Sequence, residues 1–124
     1  MNKTNKNNQS GEDYLETIYL LSEQLEIVHR IDVAKKLGVS GAAVNKAVNI
    51  LLEKEYVYED GKHLFLTELG KAYAQQIYEK HCVIRKFLLS LGVSETQAEE
   101  DACHLEHLVS EQTFQAFKRH LKNK

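Results

Sequence analysis

The sequence predicts a mainly α-helical fold interrupted by one small β-hairpin. Three observations lead there. The 124 residues contain no proline and only 6 glycines, so apolar-periodic stretches run unbroken. Two short helical patterns flank a turn at Gly38. A β-prone segment around Asp60-Gly61 then separates them from a much longer helical pattern.

The first element spans Glu12 to Leu25, with Tyr14, Ile18, Leu21 and Leu25 at helical spacing and Ser10 or Gly11 able to cap its start. A short helix over Ile31 to Leu37 follows, with Gly38 as a left-handed stop. Ser40 caps the next helix, from about Gly41 to Glu55, which buries Val44, Val48, Leu51 and Leu52. Two short helices joined by a glycine-containing turn form a helix-turn-helix. From Tyr56 to Leu66 the residues turn β-prone, and Asp60-Gly61 signals a hairpin, the wing of a winged helix-turn-helix. Thr67 opens a long helix from Glu68 to Leu91, with Tyr73, Ile77, Ile84, Phe87, Leu88 and Leu91 on one face and His81 at its flank. Gly92-Val93-Ser94 breaks the chain, and Ser94 with Gln97 resembles a capping box. Helices from about Glu95 to Leu108 and from Glu111 to about Leu121 complete the pattern, the last one capped by Ser110. The expected organisation is a solvated tail over 1–10, a winged helix over 11–71 and a helical unit over 72–124.

Hydrophobic residues make up 43% of the chain, enough for a modest core and too many for wholesale disorder. No apolar run approaches the ~20 residues that span a bilayer, so no membrane partner is expected and the default location is the cytoplasm. The polar first ten residues do not read as a signal peptide. Cys82 and Cys103 are then expected as free thiols or metal ligands rather than a disulfide. A net charge of −2 weighs against nucleic-acid binding, but the charge is unevenly placed. Arg30 to Phe65 carries 6 Lys/Arg against 5 Asp/Glu, whereas Ser94 to Glu111 carries 6 acids and no Lys/Arg.

The densest chemical signal is Cys103-His104-Leu105-Glu106-His107. On a helix Cys103, Glu106 and His107 share one face and present a thiol, a carboxylate and an imidazole, all ligand types for a divalent transition metal. The plainer alternative is an amphipathic helix with solvated Glu106 and His107. Asp13 and Glu16 form a second carboxylate pair, also explicable as first-turn charges facing the helix dipole. His81 alone is equally readable as a core-edge histidine. On the second helix of the helix-turn-helix, Gly41, Ala42, Asn45, Lys46 and Asn49 are the expected exposed positions. Asn reads adenine and Lys contacts guanine or phosphate, although such a helix also serves proteins that never touch DNA.

Taken in order, Glu12-Asp13-Tyr14-Leu15-Glu16-Thr17-Ile18-Tyr19, Leu37-Gly38-Val39-Ser40, Leu66-Thr67-Glu68-Leu69-Gly70, Lys80-His81, and Asp101-Ala102-Cys103-His104-Leu105-Glu106-His107 with Ser110 resemble the diphtheria toxin repressor family. The resemblance runs from about Glu12 to Lys118 and is closest in size to the manganese transport regulator branch, which lacks an SH3-like domain. It implies a homodimeric, non-enzymatic repressor that binds double-stranded operator DNA when loaded with Mn2+ or Fe2+, with Co2+ or Zn2+ as substitutes in vitro. It carries metal-ligand roles onto Asp13, Glu16, His81, Cys103, Glu106 and His107. Cys103 stands where the manganese branch usually has Glu, and Asp13 where the iron branch usually has Met. Arg85 and Glu99 replace a Glu and a His of the iron branch's ancillary site, and Glu99 is a possible extra oxygen ligand. Lys35, Lys36, Ser40, Ala42, Asn45, Lys46 and Lys62 are the expected DNA-side residues, and Val83, Phe87 and Leu91 the expected dimer contacts. The alternatives are a metal-independent winged-helix regulator sensing another ligand and a small metalloenzyme.

Overall fold

The computed structural model describes residues 10–123, so the expected tail over 1–10 lies, Ser10 apart, outside the described residues. Six helices and one hairpin follow in the order α1 (Gly11–Gln24), α2 (Arg30–Leu37), α3 (Gly41–Glu53), β1 (Val57–Asp60), β2 (His63–Leu66), α4 (Glu68–Ser90), α5 (Glu95–Leu105) and α6 (Glu111–Lys122). This is the mainly α fold with a single hairpin that the periodicity predicts. The chain divides into two compact units, with the boundary between Gln75 and Gln76 inside α4.

In the N-terminal unit, Ser10 and Asp13 close a reciprocal capping box on α1, which satisfies two otherwise orphaned donors. Tyr14, Leu15, Ile18 and Leu21 are buried, and α1, α2 and α3 pack mutually. Leu25 departs from the expected stripe: it is the extended C-cap of α1 and is 40% exposed. Gly38 ends α2 at φ 68°, ψ 40°, a left-handed conformation that glycine adopts without steric cost. The Ser40 hydroxyl accepts from the Ala43 N–H and starts α3, whose Val44, Val48 and Leu51 are buried.

The hairpin pairs Val57 with Leu66, Tyr58 with Phe65, Glu59 with Leu64 and Asp60 with His63. Asp60 is thus a strand residue, and the turn is Gly61-Lys62. Gly61, at φ 62°, supplies the positive dihedral that the first position of a tight primed turn requires. Tyr58 and Phe65 stack across the strands with centroids 4.9 Å apart. The Leu64 N–H donates to the Val28 carbonyl at 2.8 Å, tying the hairpin to the segment before α2.

Thr67 fastens the base of the hairpin to α4. Its hydroxyl donates to the Glu55 carbonyl and accepts from the Gly70 N–H, while its own N–H donates to the Tyr56 carbonyl. Gly70 packs directly on that backbone; a Cβ there would lie 1.9 Å from the Tyr56 oxygen.

In the C-terminal unit, Ser94 caps α5 through the Gln97 N–H. The expected return bond is absent, because the Gln97 amide donates to Asp101 instead. The unit buries Ile77 and Ile84 of α4, Ala98 and Ala102 of α5, and Phe114 of α6. Phe117 stacks on Phe87 at 4.2 Å between centroids. Regular helix in α5 ends at Leu105, three residues short of the predicted Leu108, which is 79% exposed.

The junction at Gly70 gives a direct test. Gly70→Ala forces the new Cβ into the Tyr56 backbone carbonyl, and overpacking of this kind costs about 1–3 kcal/mol or more. Gly41→Ala meets open space at the start of α3 and is expected to be neutral or to stabilise by up to about 1 kcal/mol. Thermal melts of both variants should separate in that order; equal melting temperatures would contradict the close approach.

Candidate metal centre and nucleic-acid interface

The C-terminal unit gathers its reactive side chains around His81. The imidazole comes from α4 and is only 8% exposed. Its Nδ1 lies 2.7 Å from Glu106 Oε1, and its Nε2 lies 3.0 Å from Glu99 Oε2. Cys103 Sγ stands 4.0 Å from the same Nδ1 and 3.8 Å from Glu99 Oε2. Glu99 and Cys103 are four residues apart, so the helical repeat of α5 places them on one face. Ligand atoms of His81, Glu99 and Cys103 all lie within 4.8 Å of one another. An imidazole nitrogen, a thiol sulfur and carboxylate oxygens are donor types that divalent first-row metals accept.

The expected single face of Cys103, Glu106 and His107 is realised differently. Glu106 is the αR cap of α5, and its N–H still donates to the Ala102 carbonyl, so it keeps helical register with Cys103. Its carboxylate is nevertheless buried, at 3% exposure, whereas Cys103 is exposed. His107 falls in the turn beyond the helix, with Nε2 3.4 Å from Glu106 Oε2. His81, which the local pattern left as a flanking residue, is the group that Cys103, Glu106 and Glu99 share. Arg85 approaches Glu99 Oε1 at 3.8 Å. Cys82 is a second free thiol, half-buried on α4.

Electrostatics follow from that geometry. Both ring nitrogens of His81 face acceptors, so both carry protons. Contacts with Cys103 and with Glu106 push its pKa up to about 11, although burial works in the opposite direction. Asp13 and Glu16 belong to the N-terminal unit. There Asp13 Oδ2 accepts from the Ser10 N–H at 3.1 Å, and Glu16 is buried on α1.

The exposed face of α3 carries Gly41, Ala42, Asn45, Lys46 and Asn49, as the periodicity predicts. Lys35 and Lys36 lie exposed in the last turn of α2, and Lys62 lies exposed in the hairpin turn. Sequence reading passed over Arg30, the first residue of α2. Its guanidinium forms a bidentate pair with Glu59 of β1, at 2.9 Å from Nε and 2.7 Å from a terminal nitrogen. The same guanidinium donates to Asn45 Oδ1 at 3.1 Å and to Asn49 Oδ1 at 3.4 Å. Its pairing holds the Glu59 carboxyl below its usual range. Partners 15 to 29 residues apart leave no periodic signal in the sequence.

Of the expected dimer residues, Val83 and Phe87 are half-buried within the unit and Leu91 is 60% exposed. Among the described residues, no helix is long and apolar enough to cross a membrane.

The His81 pairing predicts a pH dependence. A histidine whose folded pKa exceeds its unfolded value contributes stability that is fully present below about pH 6.5 and is lost as pH rises toward 11. In chelator-treated protein, the unfolding free energy lost on His81→Gln should be larger at pH 6 than at pH 9.5. A difference that grows with pH would contradict the assignment.

Comparison with known proteins places the chain in a family. Residues 8–64 match the iron dependent repressor N-terminal DNA binding domain, and residues 67–124 match the iron dependent repressor metal binding and dimerisation domain. An HTH-type transcriptional regulator of Methanocaldococcus jannaschii is 39% identical over 89% of this chain and 90% of its own length. The HTH-type transcriptional regulator MntR of Geobacillus thermodenitrificans is 37% identical over 82% of this chain and 72% of its own length. The solved structure of the manganese regulator SloR superposes with a TM-score of 0.83 at 34% identity over 93% of this chain. The chain spans about half, 54%, of that structure's length. These relatives are named as regulators and not as enzymes. The chain belongs to the iron dependent repressor family, the DtxR/MntR group of metal-dependent transcriptional regulators.

Proposed function

We propose that this protein is a cytoplasmic, metal-dependent transcriptional repressor that binds palindromic operator DNA as a homodimer when loaded with Mn2+ or Fe2+, controlling genes of metal-ion homeostasis. The observation that carries the reading is the convergence of imidazole, thiol and carboxylate donors on His81. The residues assigned to the metal are Asp13, Glu16, His81, Cys103, Glu106 and His107, with Glu99 as an additional oxygen donor. When bound, a divalent cation supplies the positive charge that lets several carboxylates and a thiolate share one small volume. A winged helix over 11–71 is assigned to DNA, and the helices over 72–124 to metal binding and dimerisation.

Each side chain has a definable task. His81 must give up a proton before a ring nitrogen can donate its lone pair, so metal uptake at neutral pH releases protons. Glu106, buried against Nδ1, fixes the ring's orientation. Cys103 adds a soft donor, which favours iron, cobalt or zinc, while Asp13, Glu16 and Glu106 supply the hard oxygens that suit manganese. Lys35, Lys36, Lys46 and Lys62 supply positive charge for phosphates, and Ser40, Ala42 and Asn45 line the groove side of α3. Val83, Phe87 and Leu91 are assigned to the partner subunit. A dimer sets its two recognition helices one helical turn of DNA apart, which is the spacing a palindrome provides.

Three measurements test this. Anaerobic titration of apo-protein with Mn2+ and Fe2+, followed by selection from a pool of random duplexes with and without each ion, should show metal raising DNA affinity by roughly 5–150-fold. Equal affinity in both conditions would move the protein to the metal-independent regulators. Calorimetry at pH 7.5 in buffers of different ionisation enthalpy should reveal proton release on metal binding, and buffer-independent heats would contradict a protonated His81. Cys103→Ser should weaken zinc and iron binding more than manganese binding; an equal loss for all three would remove the sulfur from the ligand set.

A further inference from the structure

The Arg30 network reaches beyond holding the fold together. A guanidinium only donates hydrogen bonds, so the atoms of Asn45 and Asn49 that face it are their carbonyl oxygens. Arg30 thereby settles which way both amides point. The two residues sit four apart on the exposed face of α3, and Arg30 also grips Glu59 in the wing strand. Four of the five guanidinium N–H groups are engaged in these bonds, so the group is fixed from several sides.

Amide direction matters for reading bases. An asparagine recognises adenine by accepting from N6 through its oxygen while donating to N7 through its nitrogen. With Oδ1 engaged by Arg30, Nδ2 is the polar atom of the Asn45 amide that this network leaves for a base. A donor aimed at the position where guanine presents O6 or thymine O4 meets the N6 amino donor of adenine instead, so there it suits guanine or thymine. Presenting both atoms to one adenine requires Oδ1 to be shared between Arg30 and N6, or turned away from its charge-assisted bond.

We infer that Arg30 is a specificity-determining residue of the DNA interface, presenting Asn45, and more weakly Asn49, as a donor that selects guanine or thymine over adenine. The inference rests on the proposed role of α3 in reading DNA. Arg30 acts here through the asparagines and is a positioning residue, with Glu59 anchoring it from the wing.

The test is base preference rather than affinity. Full-length protein with Mn2+ is taken through selection from random duplexes as wild type, Asn45→Ala, Arg30→Lys and Glu59→Gln. Asn45→Ala identifies the base position that Asn45 reads, as the one whose preference disappears. Wild type should enrich guanine or thymine there, with adenine depleted on the order of tenfold. Arg30→Lys keeps the charge but loses the planar fork, so adenine should recover at that position while preferences elsewhere stay as they were. Glu59→Gln loosens the same guanidinium and should move the preference in the same direction by less, which keeps the test open if the Arg30 variant fails to fold. Adenine enrichment by the wild type at the Asn45 position overturns the inference. An even loss of affinity at every position in both variants also overturns it, leaving Arg30 a structural strut. Absence of any enriched sequence with the wild type overturns the DNA reading itself, and this inference falls with it.

Discussion

A buried carboxylate facing a buried imidazole at 2.7 Å is the constraint around which the C-terminal unit is organised. Neither Glu106 nor His81 has appreciable contact with solvent, and an isolated charge in either position would be expensive. Each makes the other tolerable, and the pair in turn sets where α5 must run. Once Glu106 is placed, the helical repeat brings Cys103 and Glu99 to the same imidazole from one and two turns back. The arrangement is a charge cluster gathered on the two ring nitrogens of one imidazole.

The N-terminal unit solves a different problem, namely presenting polar groups outward on a rigid frame. Its core is a largely aliphatic set of side chains from α1, α2, α3 and the hairpin, joined by the aromatic Tyr14. Its surface is ordered by hydrogen bonds between elements that are distant in sequence. Thr67 joins the hairpin base to α4, and Arg30 joins the wing strand to α3. The two arrangements differ in kind. The Thr67 junction is backbone-dominated and tolerates no added carbon at Gly70, whereas the Arg30 junction is made by side chains.

Much of this was legible from residues that act locally. Gly38 stops α2 because its backbone is left-handed there, and Ser40 starts α3 with a single hydroxyl. The hairpin was readable from Gly61, although its turn lies one residue later than the Asp60-Gly61 signal suggested. The misses came where competition, not local preference, decided the outcome. Apolar periodicity runs on through Leu108, yet Ser110 must be extended to cap α6, and α5 gives way at Leu105. Leu25 likewise continues the stripe of α1 but serves as its extended cap. The candidate metal donors are legible as residue types at helical spacing, with His81 added by family resemblance. That Glu106 is buried while Cys103, three residues away, is exposed depends on packing that no local pattern records.

Four of the six helices, α1, α3, α5 and α6, begin with a serine whose hydroxyl accepts the N–H three residues on. Each such start is written in one residue and read within one turn, without reference to the core. Substitutions in the interior or on the surface can therefore leave these four helix starts in place, whereas loss of one hydroxyl is felt at its own helix start first.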